Sequence, residues 1–156
     1  CHGADAHGNS GFPTLADNEW LYGGSPENIK MSIMNGRNGV MPAWGQVLGQ
    51  EGVYNAASYI MSLAGRKVTQ DAASAGKEIY AKTCAGCHAA DAKGNPAIGA
   101  PNLTDNVWLY GGTQQAILRS VSAGRQGQMP AHGDFLGEAK AHLLTTYVYS
   151  LSHTSP

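Results

Sequence analysis

Charge is scarce in this chain. Only 13% of its 156 residues are Asp, Glu, Lys or Arg, and the formal net charge is −1. The halves are balanced too, with five acids against four bases in residues 1–70 and six against six in 71–156. Nucleic-acid binding needs a clustered basic face, so that class is excluded. No run approaches the ~20 apolar residues of a membrane-spanning helix, and no signal peptide is evident. By itself the chain is expected to be soluble, which says nothing of an anchor further upstream. Also missing are an alternating strand pattern and a hairpin turn signal of useful length. No Ser/His/Asp constellation suggests a hydrolytic centre. An all-α fold without enzymatic machinery of its own is the expectation.

What is present is concentrated in one short run. Cys84-Ala85-Gly86-Cys87-His88 is the Cys-x-x-Cys-His sequence that attaches a c-type haem. Its two thiols add across the haem vinyl groups, and the adjacent His is held where its imidazole reaches the iron. Zinc can also use two Cys and a His, but it needs a fourth ligand at matching spacing. Covalent haem attachment implies assembly on the periplasmic side of a bacterial membrane.

The chain then repeats itself. Cys1-His2 matches Cys87-His88, and Trp20-Leu21-Tyr22-Gly23-Gly24 matches Trp108-Leu109-Tyr110-Gly111-Gly112 after a two-residue offset. Gly39-Val40-Met41-Pro42-Ala43 matches Gly127-Gln128-Met129-Pro130-Ala131. A period of about 88 residues is too long for a solenoid unit and fits two tandem copies of one small domain. The expected division is a first domain over 1–66, a linker over 67–73 and a second domain over 74–156. The first copy starts at the second Cys of its attachment sequence, so a second haem is expected with its other thioether Cys upstream of residue 1. A lipidated Cys1 is the alternative. Units of roughly 70–85 residues have marginal cores, and a covalent haem supplies the missing apolar volume.

Helices are predicted before the attachment sequence (75–83), after a Ser25 cap with Pro26 at the first position, and at the equivalent Thr113. Gly36 and Gly124 end the last two. Gly76 lies four residues before Tyr80, which allows close backbone approach on that face. A final helix closes each copy, with Val53, Ala56, Ala57, Ile60 and Leu63 as the apolar face in copy one. Leu143, Leu144, Tyr147 and Leu151 take that role in copy two. The stretch 91–105 is a loop.

Six-coordinate iron needs a second soft ligand. Met41 and Met129 sit in Gly-x-Met-Pro-Ala, 39 and 41 residues after His2 and His88. Pairing within each copy, His2 with Met41 and His88 with Met129, is the expectation. His132 is a rival ligand, while His7, His142 and His153 read as surface residues. Met31, Met34 and Met61 read as core filling. A ligating His usually donates its other ring N–H to an acceptor, and the carbonyls of Pro13 and Pro101 are candidates. Arg37 and Arg125 are candidates for pairing with haem propionates. Trp20, Trp108, Tyr22 and Tyr110 either line the haem, reach a propionate or simply pack the core.

Cys-x-x-Cys-His, a Pro-x-Leu and a later Met-Pro together resemble class I cytochromes c. The run Gly-Asn-Pro-Ala-x-Gly-Ala-Pro-Asn-Leu-Thr-Asp (94–105) is more specific, as are Trp-Leu-Tyr-Gly-Gly and Gly-Arg-x-Gly-x-Met-Pro-Ala. These resemble the dihaem cytochrome c subunit of cbb3-type cytochrome oxidases. The resemblance implies two covalent haem c groups and two tandem cytochrome c domains. It also implies a membrane anchor lying upstream, on the periplasmic side of the bacterial inner membrane. Expected partners are the other oxidase subunits, with a cytochrome bc1 complex or a soluble cytochrome c as electron donor. A soluble dihaem shuttle shares every motif. A dihaem peroxidase or a gas sensor would need an open or labile iron position, against which Met41 and Met129 argue.

Overall fold

The computed structural model describes residues 1–153 and contains six helices and two strands. In chain order these are α1 (Pro26–Asn35), β1 (Arg37–Met41), α2 (Gly45–Leu63), α3 (Gln70–Thr83), α4 (Ala85–His88), α5 (Gln114–Ala123), β2 (Arg125–Met129) and α6 (Gly133–His153). Ser25 accepts from the Asn28 N–H at the start of α1, with Pro26 at the first helical position. Thr113 accepts from the Ala116 N–H at the start of α5. Both helices stop at a glycine with φ near +70°, Gly36 and Gly124, a conformation that glycine adopts without strain. The two-residue offset between the copies falls in one turn: a bridge pairs Asn9 with Phe12 in copy one, and Asn95 with Ala100 in copy two.

The chain is helix-rich with tandem cytochrome-like copies, but it also contains one small sheet. β1 and β2 pair antiparallel, with Gly39 opposite Gly127, Arg37 opposite Met129 and Met41 opposite Arg125. Each strand alternates half-buried and exposed residues over five positions. The register is symmetric about the glycine pair, so the two strands cross like the arms of a two-fold exchange.

The packing follows that crossing. α2, the last helix of copy one, lies against α3 and α5 of copy two, while α1 lies against α6. Val53, Ala56, Ala57 and Ile60 of α2 share a buried cluster with Tyr80, Cys84, Ala92, Leu103, Ile117 and Val121. A second cluster joins Ile29 and Ile33 of α1 to Ala141 and Val148 of α6. The packed units are therefore not the two chain halves. Chain connection gives a physical reason: only residues 64–69 separate α2 from α3, a length suited to an antiparallel helix pair between sequence neighbours. α3 itself begins at Gln70, inside the stretch expected as a linker, and five residues ahead of the expected helix start.

Two expectations about apolar residues are corrected. Met31 is 48% exposed on α1 rather than buried, whereas Met34 and Met61 do pack against the two cores. On α6 the expected core residues Leu143, Leu144 and Tyr147 are exposed. The buried side is instead formed by Ala141, Thr145 and Val148.

Candidate haem sites

The Cys84–His88 segment follows α3 directly. Cys84 caps both α3 and the single turn of α4, and its backbone N–H bonds to Tyr80 O. Tyr80 is buried, and its hydroxyl donates to Ala89 O at 2.7 Å, tying the helix to the residue after His88. Burial pushes the Tyr80 phenol up to about 12, so it stays a neutral donor. Ala89 takes φ +64°, and its counterpart Gly3 takes φ +81°. Both copies thus leave the His through the same left-handed turn, at a cost of about 1–3 kcal/mol for the non-glycine residue.

The two histidines are oriented in the same way. His88 Nδ1 lies 3.0 Å from Pro101 O and His2 Nδ1 lies 2.8 Å from Pro13 O. A proton on Nδ1 donated to a carbonyl leaves Nε2 with a lone pair, the state a metal ligand requires. His88 is buried, and burial pulls its imidazole pKa down against the opposing pull of the Pro101 carbonyl. Burial likewise pushes the Cys84 thiol up. Cys84 is buried, Cys87 and Cys1 are exposed, and none is in a disulfide. Among the described residues no three His, Cys, Asp or Glu side chains converge as a metal cluster.

The methionines end the two strands rather than sitting in loops, and each is delivered to the other copy. Met41 packs against the cluster containing Cys84 and Leu103, and Met129 packs against the cluster of Ile29 and Ile33. The residues that follow fix this placement. The Trp44 N–H donates to Val121 O at 3.0 Å, and the His132 N–H donates to Ile33 O at 2.9 Å. A Cβ on Gly124 would strike the Met41 carbonyl, and one on Gly36 would strike the Met129 carbonyl. Each glycine thus lets the partner copy's Met-Pro segment lie on its backbone. The packing does not favour the expected pairing of each His with the Met of its own copy.

Arg37 and Arg125 have local partners. Their Nε groups donate to Ser32 Oγ at 2.8 Å and Ser120 Oγ at 2.9 Å. Their guanidinium carbons lie 4.5 and 4.4 Å from the ring centroids of Tyr22 and Tyr110. Arg, Ser and Tyr therefore form one stack in each copy, which sequence reading missed although both copies carry the same residues. Trp20, Trp108 and Tyr110 line a cleft of about 720 Å³ between the two copies, together with Pro13 and Pro101. Trp108 Nε1 and His132 Nδ1 are buried without a protein partner. A buried indole donor without a protein partner suits a group that brings its own acceptor, such as a propionate.

The family profile described as "Cytochrome C oxidase, cbb3-type, subunit III" matches residues 1–60 and 71–148. The chain belongs to this family. A cbb3-type cytochrome c oxidase subunit CcoP of Rubrivivax gelatinosus is 45% identical over 99% of this chain and 51% of its own length. A FixP subunit of Sinorhizobium medicae is 40% identical over 97% of this chain and 55% of its own length. A CcoP subunit of Rhodobacter capsulatus is 38% identical over 97% and 57% respectively. The chain thus spans about half the length of the curated relatives it matches. The cytochrome c family implies haem c, and the residues here fit that group: adjacent thiols and an oriented imidazole. No helix among the described residues is long and apolar enough to cross a membrane.

Proposed function

We propose that this chain holds two c-type haems with exchanged methionine ligands and relays electrons within a cbb3-type oxidase. His88, Cys84 and Cys87 hold one haem, with Met41 of copy one on the opposite face. His2 and Cys1 hold the other, with Met129 of copy two opposite. Haem iron supplies reversible one-electron chemistry between its ferric and ferrous states. Pro13 and Pro101 fix the imidazoles, while the strand pair β1–β2 carries both methionines across the molecule. Closing both faces of each iron leaves no place for oxygen or peroxide, which favours outer-sphere transfer over catalysis. Other oxidase subunits are the partners, with a cytochrome bc1 complex or soluble cytochrome c as donor. The site lies on the periplasmic side of the membrane.

The observation that carries the ligand assignment is the reciprocal packing of Met41 and Met129. It can be tested in the full-length subunit by spectrally tagging one haem. Cys87→Ala leaves the second haem on a single thioether with one vinyl still conjugated, so its absorption moves to longer wavelength. In that background Met41→Ala should let carbon monoxide bind the shifted haem after reduction. Carbon monoxide binding only at the unshifted haem would restore within-copy pairing. Sustained peroxide turnover by the intact, Met-ligated protein would overturn the relay reading.

A further inference from the structure

We propose that Arg66, on the connection between α2 and α3, binds a propionate of the haem carried by Cys84 and Cys87 and raises that haem's potential. It acts together with the Trp108 indole, as a positioning residue for the haem. The inference rests on the proposed assignment of Cys84, Cys87 and His88 to one haem.

The end of α2 fixes where Arg66 stands. The Gly65 N–H donates to Ser62 O at 3.0 Å and the Arg66 N–H to Met61 O at 3.1 Å. With Gly65 at φ +72°, this is the paired closure that ends a helix on a left-handed glycine. The Arg66 side chain reaches the loop ahead of α5, where its guanidinium carbon lies 5.2 Å from the Trp108 ring centroid. Gly112 makes room for the pair: an added Cβ would fall 2.5 Å from Arg66 Nη2 and 2.7 Å from Trp108 Cδ1. Copy one repeats the glycine and the indole, with Gly24 against Trp20. Among the described residues no arginine stacks on Trp20.

The chemistry of the pair selects its ligand. Arg37 and Arg125 are already engaged by Ser32 and Ser120. Among the described residues the ion pairs are His7–Asp5 and Lys30–Glu138, so the Arg66 guanidinium meets no carboxylate there. Trp108 Nε1, beside it, is buried without a protein partner. Guanidinium and indole groups only donate, so a group that satisfies both must be an acceptor, and a negative one bonds most strongly. Trp108 packs against the cluster that includes Cys84 and Leu103, and with Pro101 it lines the cleft between the copies. A c-type haem seated at Cys84 brings such acceptors, its propionates. A cation held there disfavours the extra positive charge of ferric iron, which raises the potential.

Redox titration of the full-length subunit tests this in the Cys87→Ala background, where the two haems absorb at different wavelengths. Arg66→Gln should shift the potential of the longer-wavelength haem downward and leave the other unchanged. The propionate bending band, in resonance Raman spectra excited at that haem, should move to lower frequency. Trp108→Phe, which keeps a ring beside the arginine, should move the same band. Arg119→Gln, which removes an exposed charge from α5 of the same unit, should move neither. The proposal falls if Arg66→Gln retains both haems and leaves the Raman band in place, since Arg66 then only stacks on Trp108. It falls equally if both haems shift together, or if Arg119→Gln matches Arg66→Gln. Should Arg66→Gln lose its haem, Trp108→Phe decides, and an unmoved band there overturns the proposal. An absorption that does not move in Cys87→Ala alone refutes the haem assignment itself, and the arginine's role with it.

Discussion

Ile29 and Ile117 occupy the same place in the two copies and are equally buried, at 3% exposure each, yet the cores they enter differ in depth. Ile117 joins a cluster of ten buried residues fed by α2, α3, α5 and the loop after His88. Ile29 joins a cluster of four, supplied only by α1 and α6. The difference does not come from the shared residues, because both copies carry the same strand, the same Met-Pro segment and the same capped helix. Among the described residues, α3 covers α2 and adds Tyr80 to the larger cluster, while Leu143, Leu144 and Tyr147 of α6 are exposed. His88 is buried and His2 half-buried. A unit of this size gains its depth from one crossing helix pair and a covalent group, not from its own chain alone.

The most severe way to break the comparison is to remove the haem from the deeper unit. Cys84→Ala with Cys87→Ala should leave that unit poorly folded, because a core this small relies on the group that its thiols attach. The exchange adds a consequence. α2 belongs to copy one in sequence but to the second unit in packing, so its helical signal should disappear together with that of α3 and α5. Circular dichroism alongside a haem count reads both. Full helix content in the haem-free double variant would refute the dependence.

A milder change sharpens the comparison. Ile117→Ala and Ile29→Ala delete the same atoms from two cores, and buried substitutions of this kind cost about 2–5 kcal/mol. The deeper, more constrained core relaxes less around the cavity, so Ile117→Ala should fall in the upper part of that range and Ile29→Ala in the lower part. Denaturant unfolding, followed separately at the haem absorption and by circular dichroism, gives the two values. Equal costs would mean that cluster size does not set how far each site can collapse.

Much of this was legible in the sequence because it is local. Ser25, Pro26 and Gly36 state where α1 begins and ends, and Thr113 with Gly124 does the same for α5. The attachment sequence and the two Met-Pro segments announce haem chemistry without any structure. The exchange was not legible, for a physical reason. β1 and β2 are five residues each, carry a glycine at the centre, and pair across a separation of 88 positions with no turn between them. Two equivalent Met segments also fit either unit equally well by composition. Which cluster each segment packs against goes with the short connection between α2 and α3, a property of chain geometry rather than of residue type. The exposed side of α6 departs from its periodicity for a related cause: helical spacing marks an apolar face but not which element packs on it.

The smallest effect concerns a place where the copies differ in charge and acids from both meet. Asp17 and Asp105 are equivalent, and Glu19 stands where copy two has Val107. The three acids lie close together across the two copies. Partial burial raises the Glu19 carboxyl above its ordinary value, and Asp105 and Asp17 raise it further. Burial raises Asp17 as well, against the pull of the Glu19 N–H, which donates to its carboxylate at 3.0 Å. A carboxyl whose folded value lies above the unfolded one contributes most below the unfolded value, about pH 4, and that contribution is lost as pH rises through the folded value. At neutral pH the cluster is therefore slightly repulsive. Glu19→Gln should raise thermal stability at pH 7 by an amount typical of exposed charge pairs, ~0.2–1 kcal/mol, and added salt should shrink the gain. At acid pH the gain should vanish once the Glu19 carboxyl, raised above its ordinary value, is protonated and as neutral as the glutamine. Val107→Glu, which places a further acid at the equivalent position of copy two, should do the opposite. Thermal melts of both variants across pH 3.5–7.5 check the pair. A Glu19→Gln gain that persisted at the acid end would show that packing, not repulsion, separates the two copies at this position.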